Sequence, residues 1–163
     1  MNISSLMNPH VATTGPDEPF ERLLRAMRKT PSRLLHVVDQ EGRLLGVLSS
    51  YDILKVMLPF YLDSNLAKAL TVDEEFARRM LAENSHLTAQ DIMATDAATL
   101  AENAHFLEAE ALFKERAVTV LTVLDATGRP VGEVTRKAVL SKLVELCGPP
   151  AGTDTPEPAP CSG

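Results

Sequence analysis

Two side chains with complementary chemistry, Ser49 and Asp52, stand three residues apart in the first half of the chain. They follow a short apolar run and open a segment with helical spacing, which predicts a junction between a strand and a helix. The unpaired backbone N–H groups and the dipole of a helix N-terminus favour an anion there. The same spacing is that of a capping box, in which the two side chains satisfy only those N–H groups. Both an anion site and a helix cap remain open.

The sequence lacks the patterns of common catalytic and metal sites. Its four histidines are His10, His36, His86 and His105. They are dispersed, and no cysteine or carboxylate lies at metal-ligand spacing around any two of them. The chain also lacks a Gly-rich phosphate loop, a nucleophile elbow and a paired His–Glu helix motif. We therefore predict that the protein is not an enzyme and holds no metal.

Composition and charge restrict the class of protein. With 163 residues, of which 45% are hydrophobic, the chain has enough apolar material for one compact domain or two small associated ones. A formal net charge of −6 argues against nucleic acid or an anionic membrane as the main partner. Cys147 and Cys161 both lie near the C-terminal end, so no disulfide framework is indicated. Without a signal-peptide pattern or a membrane span, we expect a cytoplasmic protein.

An internal repeat organises the chain. Adding 86 to a position in the first half gives the matching position in the second half without any gap, and we call residues at two matching positions counterparts, whether or not they are identical. Identical counterparts include Met7 and Met93, Ala12 and Ala98, Thr13 and Thr99, Phe20 and Phe106, Leu35 and Leu121, Val37 and Val123, Asp39 and Asp125, Gly42 and Gly128, Arg43 and Arg129, Gly46 and Gly132, Leu54 and Leu140. The repeat indicates two copies of one structural unit.

Each copy combines helix and strand patterns. In the first copy, apolar residues at helical spacing predict a helix over 19–29, and two short apolar runs around a turn predict a β-hairpin at 34–38 and 44–48. A second helix opens near Ser49. The second copy predicts a helix near 102–115, strands at 118–124 and 131–134, and a helix over about 135–146. The fold class is therefore mixed α/β.

The hairpin and the helix after it carry a family resemblance. The two stretches are VVDQEGRLLGVLSSYDIL at 37–54 and VLDATGRPVGEVTRKA at 123–138. Each is preceded by a short lead-in that contains methionine, Met7-Asn8-Pro9 and Met93-Ala94-Thr95. In this order, the segments resemble the cystathionine-β-synthase (CBS) domain, once over 1–57 and again over 87–147.

The resemblance implies an architecture and a ligand. Two βαββα-type repeats pair about a pseudo-twofold axis and leave two clefts, which in this family commonly hold AMP, ADP, ATP or S-adenosylmethionine. No resident cofactor is required. The resemblance also implies a homodimer, either parallel or antiparallel, and regulation of a separate protein that the sequence does not identify. The alternative is a ligand-free module that only mediates dimerisation.

The resemblance assigns candidate binding residues in the first cleft. Asp52 would accept hydrogen bonds from the ribose hydroxyls, Ser49 would contact a phosphate or ribose oxygen, and Arg33 would meet phosphate charge. Tyr51 lies within the same motif and is also a candidate. The other repeat would hold the adenine through Asp96, Ala98, Val118 and Thr119.

The second copy departs from the family pattern. Thr135 is the counterpart of Ser49, but the carboxylate position is occupied by Ala138, which cannot bind ribose. We therefore expect one good adenosyl site per chain. Arg136 and Lys137 place two cations in the first turn of a helix, the unfavourable end for positive charge. They would either reach the phosphates of a nucleotide in the neighbouring cleft or project into solvent.

Two further segments lie outside the repeats. Residues 58–86 are predicted to be helical, with an interruption at Pro59, an apolar patch, a capping box at Thr71-Val72-Asp73-Glu74 and a helix with one apolar face. The patch is Leu58, Phe60, Tyr61 and Leu62, and the face is Phe76, Met80 and Leu81. This segment would pack against its own module, extend a dimer contact or gate a cleft. Residues 148–163, rich in proline, are predicted to be disordered.

Overall fold

The computed structural model describes residues 1–58, 63–69 and 74–148. The elements in chain order are a 3-10 helix (Ile3–Ser5), β1 (Ala12–Thr14), α1 (Phe20–Lys29), β2 (Leu35–Val38), β3 (Leu44–Leu48), α2 (Ser50–Met57), α3 (Ser64–Ala69), α4 (Glu74–Glu83), α5 (Ala89–Ile92), β4 (Thr99–Ala101), α6 (Phe106–Arg116), β5 (Val120–Leu124), β6 (Pro130–Thr135) and α7 (Arg136–Cys147). The mixed α/β class predicted from the sequence is confirmed.

The two repeats have the same topology. In the first, β1 pairs in parallel with β2, which pairs antiparallel with β3, and the second repeats this order with β4, β5 and β6. Each hairpin turns at a glycine in the left-handed region, with φ of 82° at Gly42 and 84° at Gly128. An L side chain rarely adopts this conformation, so glycine favours the tight turn there. The repeat thus has the β-α-β-β-α order that the resemblance implied.

The core of each repeat contains a residue from the segment that precedes the other repeat in the chain. Ile3 is fully buried in the core of the second repeat, and Ala89 is fully buried in the core of the first. Backbone bridges hold these segments in place: Val47 exchanges N–H···O bonds of 2.9 Å with Ala94, and Asn8 exchanges bonds of 2.8 and 2.9 Å with Glu133. Since these contacts are counterparts of one another, the two repeats interlock symmetrically.

Two of the predicted boundaries are wrong. The helix expected near Glu102 begins at Phe106, because the backbone N–H of Glu102 bonds to Leu124 and His105 provides the helix cap. The strand expected from Val118 begins at Val120, where pairing with β6 starts. The sequence patterns also left β1 and β4 without assigned positions, because three residues are too short to show alternation.

In its described residues, the segment between the repeats contains the helices α3 and α4, and α4 includes the residues of the predicted apolar face. Phe76, Met80 and Leu81 are half-buried, and α4 packs against α2. The side-chain amide of Asn84 donates to the carbonyl of Val56 over 3.3 Å, which ties the segment to the first repeat.

Several predictions for the segment and the tail concern residues outside the described ranges. They are Pro59 and the patch residues Phe60, Tyr61 and Leu62, the capping residues Thr71, Val72 and Asp73, and residues 149–163. Among the described helices, none is long and apolar enough to cross a membrane.

Candidate functional site

A cleft of about 370 Å³ opens between the two repeats, and we call it the first cleft. The end of β3 and the start of α2 form one wall, while Ala94, residues 96–98 and the loop between α6 and β5 form the other. Six of the residues predicted from the sequence line it: Ser49, Asp52, Asp96, Ala98, Val118 and Thr119. The expected contribution of both repeats to one cleft is therefore present.

Ser49 and Asp52 form a capping box at the start of α2. The Ser49 hydroxyl oxygen accepts from the N–H of Asp52 over 3.3 Å, and Asp52 Oδ2 accepts from the N–H of Ser49 over 2.9 Å. The other carboxylate oxygen, Oδ1, lies 3.5 Å from the ammonium of Lys55. The cap therefore occupies Oδ2, and Oδ1 keeps acceptor capacity at the edge of the cleft.

Arg116 faces this pair from the opposite wall. Its guanidinium donates to the carbonyl of Asp96 over 2.6 Å and lies 3.9 Å from the Asp96 carboxylate. Since the side chain is 46% exposed, it can reach an anion in the cleft. The sequence interpretation missed Arg116. The available signal was the difference between Arg116 and its neutral counterpart, Thr30. At this position of the repeat, only the first cleft has a cationic side chain.

The floor of the first cleft includes Thr122, whose hydroxyl lies 3.1 Å from Nε2 of the buried His36. Nδ1 of His36 lies 3.1 Å from the carbonyl of Ala12, which can only accept, so Nδ1 carries a proton. Burial lowers the pKa of His36, against the opposing effects of the Ala12 carbonyl and the nearby Glu133. The neutral imidazole then accepts the Thr122 hydroxyl proton at Nε2.

Arg33 and Tyr51 line an adjoining cavity of about 430 Å³. This cavity shares Ser49 and Thr119 with the first cleft, so the two spaces meet around those residues. An extended ligand with its adenosine in the first cleft could place a charged tail near Arg33.

The remaining three candidates do not line either cavity. Thr135 caps α7 by accepting from the N–H of Ala138 over 3.2 Å, while Arg136 and Lys137 are exposed in the first turn of that helix. Of the two alternatives for these cations, their exposure is compatible with projection into solvent, and a contact with the phosphates of a nucleotide stays a prediction. Within the described ranges, no group of three or more His, Cys, Asp or Glu residues could hold a metal ion.

Comparison with known proteins identifies the repeat unit. Residues 3–59 and 89–145 both match the family model of the CBS domain. A CBS domain-containing protein of Dictyostelium discoideum is 26% identical over 148 residues, which cover 90% of this chain and 94% of that protein.

Solved structures share the fold. The cytosolic domain of the Mg²⁺ channel MgtE in complex with ATP is 25% identical, with a TM-score of 0.63, over 86% of this chain but only 48% of that chain. The CBS-pair protein CBSX2 of Arabidopsis thaliana, in complex with AMP, is 20% identical with a TM-score of 0.62, over 89% and 97% of the two chains. Because the family model matches most of its length in two copies, this chain belongs to the CBS domain family and carries a tandem CBS pair.

Proposed function

We propose that this chain is a regulatory module that binds an adenine nucleotide or S-adenosylmethionine in the first cleft. The observation that carries the proposal is the position of Asp52 of one repeat and Arg116 of the other on the walls of one cavity. A carboxylate accepts hydrogen bonds from ribose hydroxyls, and a guanidinium pairs with phosphate. The cleft thus offers partners for both parts of AMP, ADP or ATP. S-adenosylmethionine has no phosphate, but its ribose could use Asp52 and its carboxylate could pair with Arg116.

The capping box does not by itself distinguish a binding site from a simple helix cap. Thr88 and Asp91 form the same box at the start of α5, where the Asp91 carboxylate accepts from the Thr88 N–H over 2.8 Å. Neither Thr88 nor Asp91 lines the first cleft. What sets Asp52 apart is therefore its place in the cavity, and Asp91 provides a matched control.

The relatives give further support. The MgtE cytosolic domain that resembles this chain at 25% identity was solved in complex with ATP. At 20% identity, the AMP complex of CBSX2 shares the fold. A nucleotide in the first cleft is consistent with both.

Calorimetric titration with AMP, ATP and S-adenosylmethionine tests the proposal. We expect at least one of them to bind the native chain. Asp52→Ala should weaken that binding by roughly 10-fold or more, because hydrogen bonds to a charged group are worth about 1.5–3 kcal/mol. Asp91→Ala should bind like the native chain, although both substitutions remove the carboxylate half of a capping box.

Two results would contradict the proposal. Equal binding by the native chain and Asp52→Ala would remove Asp52 from the site. Absence of binding by all three compounds would favour the ligand-free dimerisation module instead.

A homodimer, in the cytoplasm, completes the proposal. Large apolar side chains are exposed on α2 and its C-cap residue, with Leu54 at 56% and Leu58 at 46%, and on α7, with Leu140 at 61% and Val144 at 60%. Leu54 and Leu140 are counterparts, as are Leu58 and Val144, so both repeats present the same kind of surface. A second copy would cover these faces. The dimer would then transmit ligand binding to a separate regulated protein.

A further inference from the structure

The second cleft, formed by the counterparts of the residues around the first, contains a buried carboxylate. Glu133 on β6 is 2% exposed, whereas its counterpart, Val47, lines the first cleft. Among the described residues, the only basic side chain within 4 Å of this carboxylate is the imidazole of His36, whose Nε2 lies 3.9 Å from Oε1. A carboxylate buried in this way is costly unless hydrogen bonds satisfy it.

The loop before β2 satisfies this carboxylate. The backbone N–H of Arg33 donates to Oε2 over 3.1 Å, the N–H of Leu34 donates to Oε1 over 3.0 Å, and the hydroxyl of Ser32 also contacts Oε1. All of these contacts join the second repeat to the first. Glu133 therefore holds the loop at 32–34. This loop is the counterpart of residues 118–120, which line the first cleft, so the repeat places it at the second cleft. Ser32, Arg33 and Leu34 also line the cavity that adjoins the first cleft.

In the first cleft, the corresponding loop residues line the cavity. The counterparts of Arg33 and Leu34 are Thr119 and Val120, and both line the cavity. Where the second cleft has the polar pair Glu133 and Ser32, the first has the apolar residues Val47 and Val118. The clefts thus differ in whether a side chain of the protein already takes the donors of this loop.

The remaining space in the second cleft is displaced from this loop. A cavity of about 460 Å³ lies there, and its lining consists of residues 9–12 with Thr30 and Pro31. Except for Pro9, these are counterparts of residues that line the first cleft, namely residues 96–98 with Arg116 and Ala117. Glu133, the loop at 32–34, Thr135 and Ala138 are not part of the lining.

We propose that Glu133 is a built-in occupant of the second cleft, where its carboxylate takes the backbone donors of residues 33 and 34 and excludes a ligand. Glu133 then restricts the chain to one adenosyl ligand, independently of the missing carboxylate at Ala138. The limit on ligand number rests on the proposed function, whereas the role of Glu133 inside the second cleft does not.

Amide hydrogen exchange of the labelled full chain tests this role without any ligand. In Ser32→Val/Glu133→Val, which copies the residues of the first cleft, the amides of Arg33 and Leu34 should lose protection by about 10-fold or more. Glu133→Gln keeps an acceptor oxygen of the same length and should retain most of the protection. Rapid exchange of both amides already in the native chain would overturn the proposal.

Calorimetric stoichiometry with AMP tests the exclusion. We expect one AMP per chain for the native protein and for Ala138→Asp, and two for Ser32→Val/Glu133→Val/Ala138→Asp. Two AMP molecules on Ala138→Asp alone, or one on the folded triple variant, would overturn the proposal. If the native chain binds no AMP, the proposed function fails for this ligand, and the exchange experiment alone decides the role of Glu133.

Discussion

The imidazole Nε2 of His36 lies 3.1 Å from the hydroxyl oxygen of Thr122, and these two fully buried residues are counterparts. A residue that contacts its own counterpart must lie at the axis that relates the two repeats. The pseudo-twofold axis therefore passes through a buried polar contact. Because His36 and Thr122 differ in chemistry, the pair also breaks the symmetry at that point, and only one of the two can titrate.

The stability of the protein should fall as the pH decreases through about 6.5, the ordinary pKa of histidine. Burial lowers the pKa of His36 in the folded state, so the unfolded chain takes up a proton first. Below about pH 6.5 the unfolded state then binds more protons than the folded state, and the free energy of unfolding decreases. Urea denaturation between pH 7.5 and 5.5 would measure this slope.

His36→Gln should reduce that slope because the uncharged amide does not titrate. His10→Gln is the matched control, because it replaces an exposed histidine by the same amide and keeps the buried His36. An equal slope in the native chain and His36→Gln would show that other groups cause the pH dependence.

Gly46→Ala should destabilise the fold by roughly 1–3 kcal/mol through overpacking. A Cβ at this position would lie 2.7 Å from Sδ of Met93 and 2.8 Å from the carbonyl oxygen of Ala94. Gly132→Ala should cost a similar amount, since its Cβ would meet Met7 at 2.7 Å. Gly15→Ala is the control because no atom lies within 4 Å of its added Cβ. Urea denaturation would compare the three variants, and equal stability of Gly46→Ala and Gly15→Ala would contradict close packing of the lead-in.

Arg116→Gln should weaken the binding of AMP but not that of adenosine. Arg116 lines the cleft, and its guanidinium would pair with phosphate, a contribution of about 1.5 kcal/mol or more, which corresponds to roughly 10-fold in affinity. If Arg116 only supports the cleft wall through its 2.6 Å bond to the carbonyl of Asp96, both ligands should lose affinity equally. Parallel titrations with AMP and adenosine separate these two roles.

The repeat, the hairpins and most helices could be predicted because they depend on local patterns. The turn glycines Gly42 and Gly128 and the apolar runs around them recur 86 positions apart, and the strands begin and end close to the predicted positions. Ser49 and Asp52 were also identifiable, because their spacing marks the start of a helix.

Contacts between the repeats could not be predicted in the same way. The burial of Ile3 in the second core and the bonds of Glu133 to the loop at 32–34 join residues about 100 positions apart. No periodicity within one segment records such distances, since they depend on how the two repeats pack. Glu133 also stands in a strand where an acidic residue would ordinarily be expected to face solvent.

Leu140→Glu/Val144→Glu should dissociate the proposed homodimer. Both residues lie on the exposed face of α7, at 61% and 60% exposure, and burying two carboxylates against a partner would cost several kcal/mol. The dissociation constant should therefore rise by roughly 100-fold or more. Sedimentation equilibrium of the full chain would measure it, and Leu54→Glu on α2 extends the test to the counterpart helix.

Leu107→Glu is the matched control because Leu107 is 53% exposed, but on α6. This variant should keep the native association, since the proposed interface uses α2 and α7 only. Equal dissociation of Leu107→Glu and the α7 variant would indicate a general effect of added charge, and a monomeric native chain would remove the dimer altogether. A dimer that persists in Leu140→Glu/Val144→Glu would require an interface on another face of the repeats.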